Sequence, residues 1–106
     1  MSSGADVNAK TNDGDTAVMI ASHGGHPSCM EVLIASGADV NAKDNDGVTA
    51  LMAASIEGHQ SCIEVLIASG ADVNAKDDDG RTAMMLASHF KHVAAVELLK
   101  RHGAVS

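Results

Sequence analysis

The chain has almost no aromatic side chains. Among its 106 residues it has one Phe, Phe90, and neither Trp nor Tyr. A single thick core would need large aromatic residues to fill it, so aliphatic residues, Ala and six Met must fill this interior instead. The composition therefore favours a thin core of small, repeated contacts, and the length allows one domain.

Positive charge is also scarce, with 7 Lys and Arg against 14 Asp and Glu and a net charge of −7. The basic residues do not cluster, which argues against nucleic acid and against an anionic membrane surface as partners. No apolar run approaches the roughly 20 residues of a membrane span. The N-terminal residues MSSGADVN lack the basic start and apolar stretch of a signal peptide. We expect a protein partner and an intracellular, cytoplasmic location.

One eight-residue motif recurs at a fixed interval. SGADVNAK is repeated every 33 residues, at residues 3–10, 36–43 and 69–76. A fixed period of this length is typical of stacked repeat proteins. It predicts a single domain over residues 1–106, made of a partial N-terminal loop and three repeats, at residues 1–11, 12–44, 45–77 and 78–106.

Each repeat has the same local signals. An Asp-Gly tight turn is followed by a Thr that can cap a helix, a short helix, a break, and a second helix that ends before Gly. Pro27 fits the first turn of such a second helix, where its missing N–H costs nothing. The predicted helices span Ala17–His23, Ser28–Ser36, Ala50–Ile56, Ser61–Ser69, Ala83–Phe90 and His92–His102.

The order turn, D-G-x-T-A, short helix, G-H, long helix, G-A-D-V-N-A resembles the ankyrin repeat. In the second repeat the residues that match are Gly47, Thr49, Ala50, Leu51, Ala54, Gly58, His59, Val65, Leu66, Gly70, Ala71, Asp72, Val73 and Asn74. The resemblance implies an all-α ankyrin-repeat solenoid, in which stacked helix-turn-helix units are joined by tight β-turn or hairpin loops. The chain departs from the family pattern in two places. It has T-A-x-M where the family usually has T-P-L-H, and it has Lys91 where the other repeats have Gly25 and Gly58.

The resemblance also implies a protein-binding surface on the concave face, formed by the turn tips and the inner helices. Repeat proteins keep scaffold positions constant and vary the binding face, and the positions that differ between these repeats follow the turn or lie along the inner helix. Phe90 favours binding over neutral variation, because it replaces Gly24 and Glu57 at a position expected to be exposed. The predicted protein-binding residues are Asp15, His23, Asp46, Val48, Ile56, Glu57, Asp79, Arg81, His89 and Phe90.

Three histidines occupy one position in successive repeats: His26, His59 and His92. Repeats stack about 10 Å apart, whereas histidines bind zinc at about 2.1 Å, so these side chains are predicted to bond loop backbone. The other histidines, His23, His89 and His102, are expected to be isolated on the surface. No arrangement of residues predicts a catalytic site, a cofactor or a metal, and the chain is not expected to be an enzyme.

Other residues also recur in register. Asn8, Asn41 and Asn74 are predicted to brace the loops, although the family resemblance leaves Asn41 or Asn74 as remote candidates for an ankyrin-directed asparaginyl hydroxylase. The methionines at one position are predicted to fill the core, at Met19, Met52 and Met85. The turn acids have two interpretations, solvated turn residues or an acidic edge that steers a basic partner: Asp13, Asp15, Asp44, Asp46, Asp77, Asp78 and Asp79.

Cys29 and Cys62 are 33 residues apart and therefore equivalent in adjacent repeats. Stacked helices lie about 8–10 Å apart, which is too far for a disulfide, so both are predicted to be free thiols in a reducing compartment.

The main alternative to a binding module is a structural piece, either a fragment of a longer array or an engineered, minimal scaffold. Residues 3–35 and 36–68 are identical at 25 of 33 positions, which suits recent duplication and consensus design equally. The last helix has a polar end at Lys100, Arg101 and His102, whereas no polar helix precedes residue 16. We expect a monomer, with self-association through the N-terminal repeat as the alternative.

Overall fold

The computed structural model describes residues 6–105. Within that range it has six helices and no strand: α1 (Ala17–Gly24), α2 (Pro27–Ala35), α3 (Ala50–Glu57), α4 (Gln60–Ala68), α5 (Ala83–His89) and α6 (Val93–Arg101). The all-α prediction is confirmed, and each predicted helix is present with ends that differ by at most one residue. Part of the first SGADVNAK copy lies outside the described residues.

The helices form two layers. The first helices of the repeats, α1, α3 and α5, pack side by side in an inner layer, and α2, α4 and α6 form an outer layer behind them. At 7–9 residues, these helices are too short to be stable alone in water. Each is stabilised by the apolar core that the three repeats share, in which Val18, Leu51, Ile63 and Leu99 are fully buried.

The predicted turn and cap position each inner helix. In repeat two, the Asp44 N–H donates to Val48 O and the Gly47 N–H donates to Asp44 O, each at 3.0 Å. Gly47 has a φ of 78°, which glycine adopts without steric cost. The Thr49 hydroxyl then accepts the Met52 N–H at 3.3 Å and caps α3. Because the turn and the cap are adjacent, the loop fixes where the inner helix begins.

The histidine ladder joins each repeat to the one before it. Nε2 of His92 donates to Ile56 O at 2.9 Å, and Nε2 of His59 donates to His23 O at 3.1 Å. The predicted backbone role is confirmed for these two residues. His26 has no such bond within residues 6–105, where no helix precedes its repeat.

Glycine is required at the end of an inner helix where the histidine ring of the following repeat passes close to the backbone. Gly58 ends α3 with a φ of 70°, and a Cβ there would lie 2.6 Å from Nδ1 of His92. Gly25 is equivalent, since a Cβ on that residue would lie 2.9 Å from Cε1 of His59. Lys91 occupies the third such position with a φ of 62°, as the only non-glycine residue with positive φ among those described.

Gly58→Ala is therefore expected to lower the free energy of unfolding by about 2 kcal/mol, since it adds left-handed strain and displaces the His92 bond. The matched control is Lys91→Gly, which relieves the same strain where no ring passes and should change stability little or raise it by about 1 kcal/mol. Urea unfolding of both variants tests this. Equal losses would contradict it.

The methionine prediction is wrong for one residue. Met19 and Met52 are buried, but Met85 is 38% exposed. Met19 and Met52 have a following inner helix beside them, whereas no described helix lies beyond α5. Val96 and Lys100 line a recess with Met85 on this side of repeat three, so the polar end of α6 covers the apolar surface only in part.

Both cysteines are free, with Cys29 exposed and Cys62 fully buried. Cys62 lies in the apolar core, and burial raises the pKa of its thiol. Equivalent positions differ because Cys62 lies between two neighbouring repeats, whereas Cys29 is in the first helix pair.

In the native protein, iodoacetamide should modify Cys29 at least about tenfold faster than Cys62, because burial and a raised pKa both reduce thiolate reactivity. Peptide mass spectrometry after timed quenching measures both rates, and denatured protein provides the control in which they converge. An intact mass two hydrogens short would show a disulfide and contradict the geometry.

Candidate protein-binding face

The predicted site residues lie on the inner layer and the turns that precede its helices, a surface named here the inner-helix face. None of the predicted site residues is fully buried. The scaffold bonds described above use backbone and ladder side chains, so these positions are free to differ in chemistry between repeats.

A groove of about 340 Å³ runs between repeats one and two on this face. It brings together four predicted site residues and four others: Asp15, His23, Val48 and Ile56 with Met19, Ile20, Asp44 and Ala53. Ile20 is 56% exposed. The residue at this position differs between repeats, but Ile20 is not among the predicted site residues. Its spacing of three from His23 puts both on one face of α1, and this signal could have identified it.

The groove has a crowded acidic rim. Burial, a hydrogen bond with the Asp44 side chain and the charges of Asp44, Asp13 and Asp46 raise the pKa of Asp15 above its ordinary value. Asp44 is held in place by its turn, because its Oδ1 accepts the N–H groups of Asp46 and Val48 at 2.9 Å each. The Asp44 carboxyl group is therefore fixed at the groove by its own turn, next to the side chain of Asp15.

Repeat three neutralises its equivalent acids. Nε of Arg81 lies 2.9 Å from Asp77 Oδ2, and its Nη2 lies 3.3 Å from Asp79 Oδ2. Burial opposes ionisation of Asp77, but hydrogen bonds from Arg81 and from the Asp79 N–H outweigh it and lower the pKa of Asp77. The prediction of a solvated turn acid is wrong for Asp77, which is buried.

Two histidines predicted to be isolated have partners. Nε2 of His23 lies 3.1 Å from Oε2 of Glu57 in the next repeat. The His89 ring meets Phe90 edge to face, with centroids 4.8 Å apart. Sequence spacing could not show the first contact, because it joins different repeats.

Phe90 is 48% exposed and follows the last residue of α5. The expectation that it stays partly exposed is confirmed. Phe90 and His89 do not line the groove between repeats one and two, so the structure does not bring all the predicted residues together.

The loops opposite the turns are braced as predicted. The Asn41 side chain donates to Gly70 O at 3.1 Å and accepts the Asp72 N–H at 2.7 Å. Asn74 bonds Gly103 O and the Val105 N–H in the same way. The nitrogen and the oxygen of each side-chain amide therefore both form hydrogen bonds between repeats.

The fold agrees with a comparison against protein-family models. The model for ankyrin repeats (3 copies) matches residues 1–77 and also residues 44–106. The chain belongs to the ankyrin-repeat family. Ankyrin repeats are generally protein–protein interaction modules and typically non-catalytic. A search of curated proteins finds no match.

Two further properties hold for the described part of this ankyrin chain. None of its helices is long and apolar enough to cross a membrane. No three His, Cys, Asp or Glu side chains in residues 6–105 are grouped so that they could hold one metal ion.

The two shifted carboxyl groups should have opposite effects on stability. Because the pKa of Asp15 is raised, its favourable contribution is present below its ordinary pKa of 3.8 and is lost as pH rises through the folded pKa. Asp15→Asn should therefore raise the free energy of unfolding near neutral pH, and the gain should shrink as pH falls toward about 4.

Asp77→Asn is the matched control, and it should change the free energy of unfolding in the opposite direction. The lowered pKa of Asp77 stabilises the fold above its ordinary pKa of 3.8, and that contribution is lost as pH falls through the folded value. The variant should be destabilised near neutral pH. Urea unfolding across the acid range measures both, and effects of equal sign would contradict the assignment.

Proposed function

We propose that this ankyrin-repeat chain binds another protein through the inner-helix face. One contrast supports the proposal: the Asn and His side chains that bond the backbone of a neighbouring repeat recur in register, whereas most of the positions that differ between repeats one and two lie on the inner helix or the turn before it. The Asn and His ladders hold the stack through backbone groups. The variable positions are not needed for those bonds, so binding can determine their chemistry.

The outer layer supplies the comparison. A groove there is lined by residues that recur in both repeats, such as Glu31 with Glu64 and Ala35 with Ala68. In the inner groove, by contrast, equivalent positions of repeats one and two carry different residues: Asp15 corresponds to Val48, and His23 to Ile56. A surface that repeats its residues suits a scaffold, and a surface that differs suits recognition.

The inner-helix face also has the composition of an interface. The face exposes apolar side chains at Ile20 and Phe90 and charged side chains at Glu57 and Arg81. Aromatic and Arg side chains are enriched among the residues that dominate binding energy. An apolar centre with a polar rim is the usual arrangement of such a surface.

Affinity capture with matched double variants tests the proposal. The inner variant is Ile20→Ala with Phe90→Ala, and the control is Val32→Ala with Val93→Ala, whose side chains on α2 and α6 are 67% and 69% exposed. A protein captured by the unchanged chain and by the control, but lost with the inner variant, would support binding through this face. A protein lost only with the control would place binding elsewhere.

Phe90→Ala alone should weaken binding of a captured partner about 30-fold, equivalent to roughly 2 kcal/mol, if Phe90 is an interface anchor. Stability should change by less than about 1 kcal/mol, because the ring is already half exposed. A buried Phe would cost about 3–5 kcal/mol. Titration calorimetry and a melting curve separate the two results, and a large loss of stability would remove Phe90 from the interface.

A further inference from the structure

The groove between repeats one and two combines an apolar floor with acidic carboxyl groups. Ile20, Val48 and Ile56 provide apolar surface, and Asp15 and Asp44 lie on the same groove. An aliphatic side chain of a partner would find apolar contact there. A cation beside it would find two carboxyl groups, of which that of Asp44 is already held in place by its turn.

Repeat three shows what an arginine does beside one of these acids, because Asp77 is equivalent to Asp44 and Arg81 contacts it. Asp77, Asp79 and Arg81 are equivalent to Asp44, Asp46 and Val48. In repeat three the arginine contacts both acids. In repeat two, valine takes its place, and the two acids keep the same turn geometry without the arginine.

Nearby cations of the chain are engaged elsewhere. Nζ of Lys10 donates to Lys43 O and Nζ of Lys43 donates to Lys76 O, each at 2.8 Å. His23 pairs with Glu57. Within residues 6–105, no ion pair involves Asp15 or Asp44, so the acidic rim of the groove lacks an internal counter-charge.

We propose that this groove binds a protein segment in which an arginine adjoins an aliphatic residue. The guanidinium lies between the carboxyl groups of Asp15 and Asp44, and the aliphatic side chain packs on Ile20, Val48 and Ile56. Arginine fits better than lysine because its planar fork can donate to two carboxylates at once. This inference rests on the proposed function and specifies the partner's chemistry.

Selection of a random-peptide phage library against the full chain tests the preference without a known partner. Enriched peptides are expected to contain Arg beside Leu, Ile or Val. A synthetic peptide of the enriched sequence should lose at least about tenfold in affinity when citrulline, the neutral analogue, replaces Arg. Its affinity should also fall as salt concentration rises.

Variants locate the bound arginine. Val48→Arg copies repeat three and supplies the internal counter-charge, so it should reduce peptide affinity by at least about tenfold. Val48→Met, similar in length but uncharged, is the matched control and should retain binding. Asp15→Asn should also lose affinity, although it is expected to be more stable than the unchanged chain. A loss caused by unfolding would not show that combination.

Other outcomes reject the inference in distinguishable ways. Peptides without Arg that bind the inner-helix face would overturn the arginine preference and leave the proposed function standing. Equal affinities for the Arg and citrulline peptides, or an unchanged affinity for Val48→Arg, would also overturn it. If no sequence is enriched, the inference fails, while affinity capture with the double variants still decides the proposed function.

Discussion

Side chains of one repeat that bond the backbone of its neighbour hold this stack together. The His92 ring donates a hydrogen bond to the carbonyl oxygen of Ile56. The Asn41 side chain donates to the carbonyl oxygen of Gly70 and accepts the N–H of Asp72. The groups they satisfy lie at helix ends and loops, where backbone groups lack partners within their own element. Neighbouring repeats thus complete one another's hydrogen bonding, and short helices become stable only as members of the stack.

This division of labour leaves the inner-helix face available. The turn acids Asp44 and Asp77 shape their loops in the same way, yet the next variable residue is Val48 in one repeat and Arg81 in the other. A change at that position converts an acidic groove into a neutralised surface without altering the turn. The chemistry of the face can therefore differ while the fold is conserved from repeat to repeat.

The sequence was sufficient for the fold because each repeat carries the same local signals. The Asp-Gly turn, the Thr cap and the terminal Gly predicted every helix to within one residue. Contacts between repeats were harder to predict. The His23–Glu57 pair and the exposure of Met85 depend on which helix lies alongside, and periodicity alone does not show how side chains meet across that step. For the same reason, the sequence predicted only some of the residues that line the groove.

Lys91 has a consequence for growth of the stack. Repeats with identical faces can add without limit, in the way that a head-to-tail contact produces a fibre. Gly25 and Gly58 leave room for the ring of the following repeat, whereas the Cβ of Lys91 stands in that space at repeat three. A second copy that stacked a ladder histidine on repeat three in the register used by the first two would therefore meet the Cβ of Lys91. Lys91 thus makes the last repeat unlike the first two at the position where the next ring would pass.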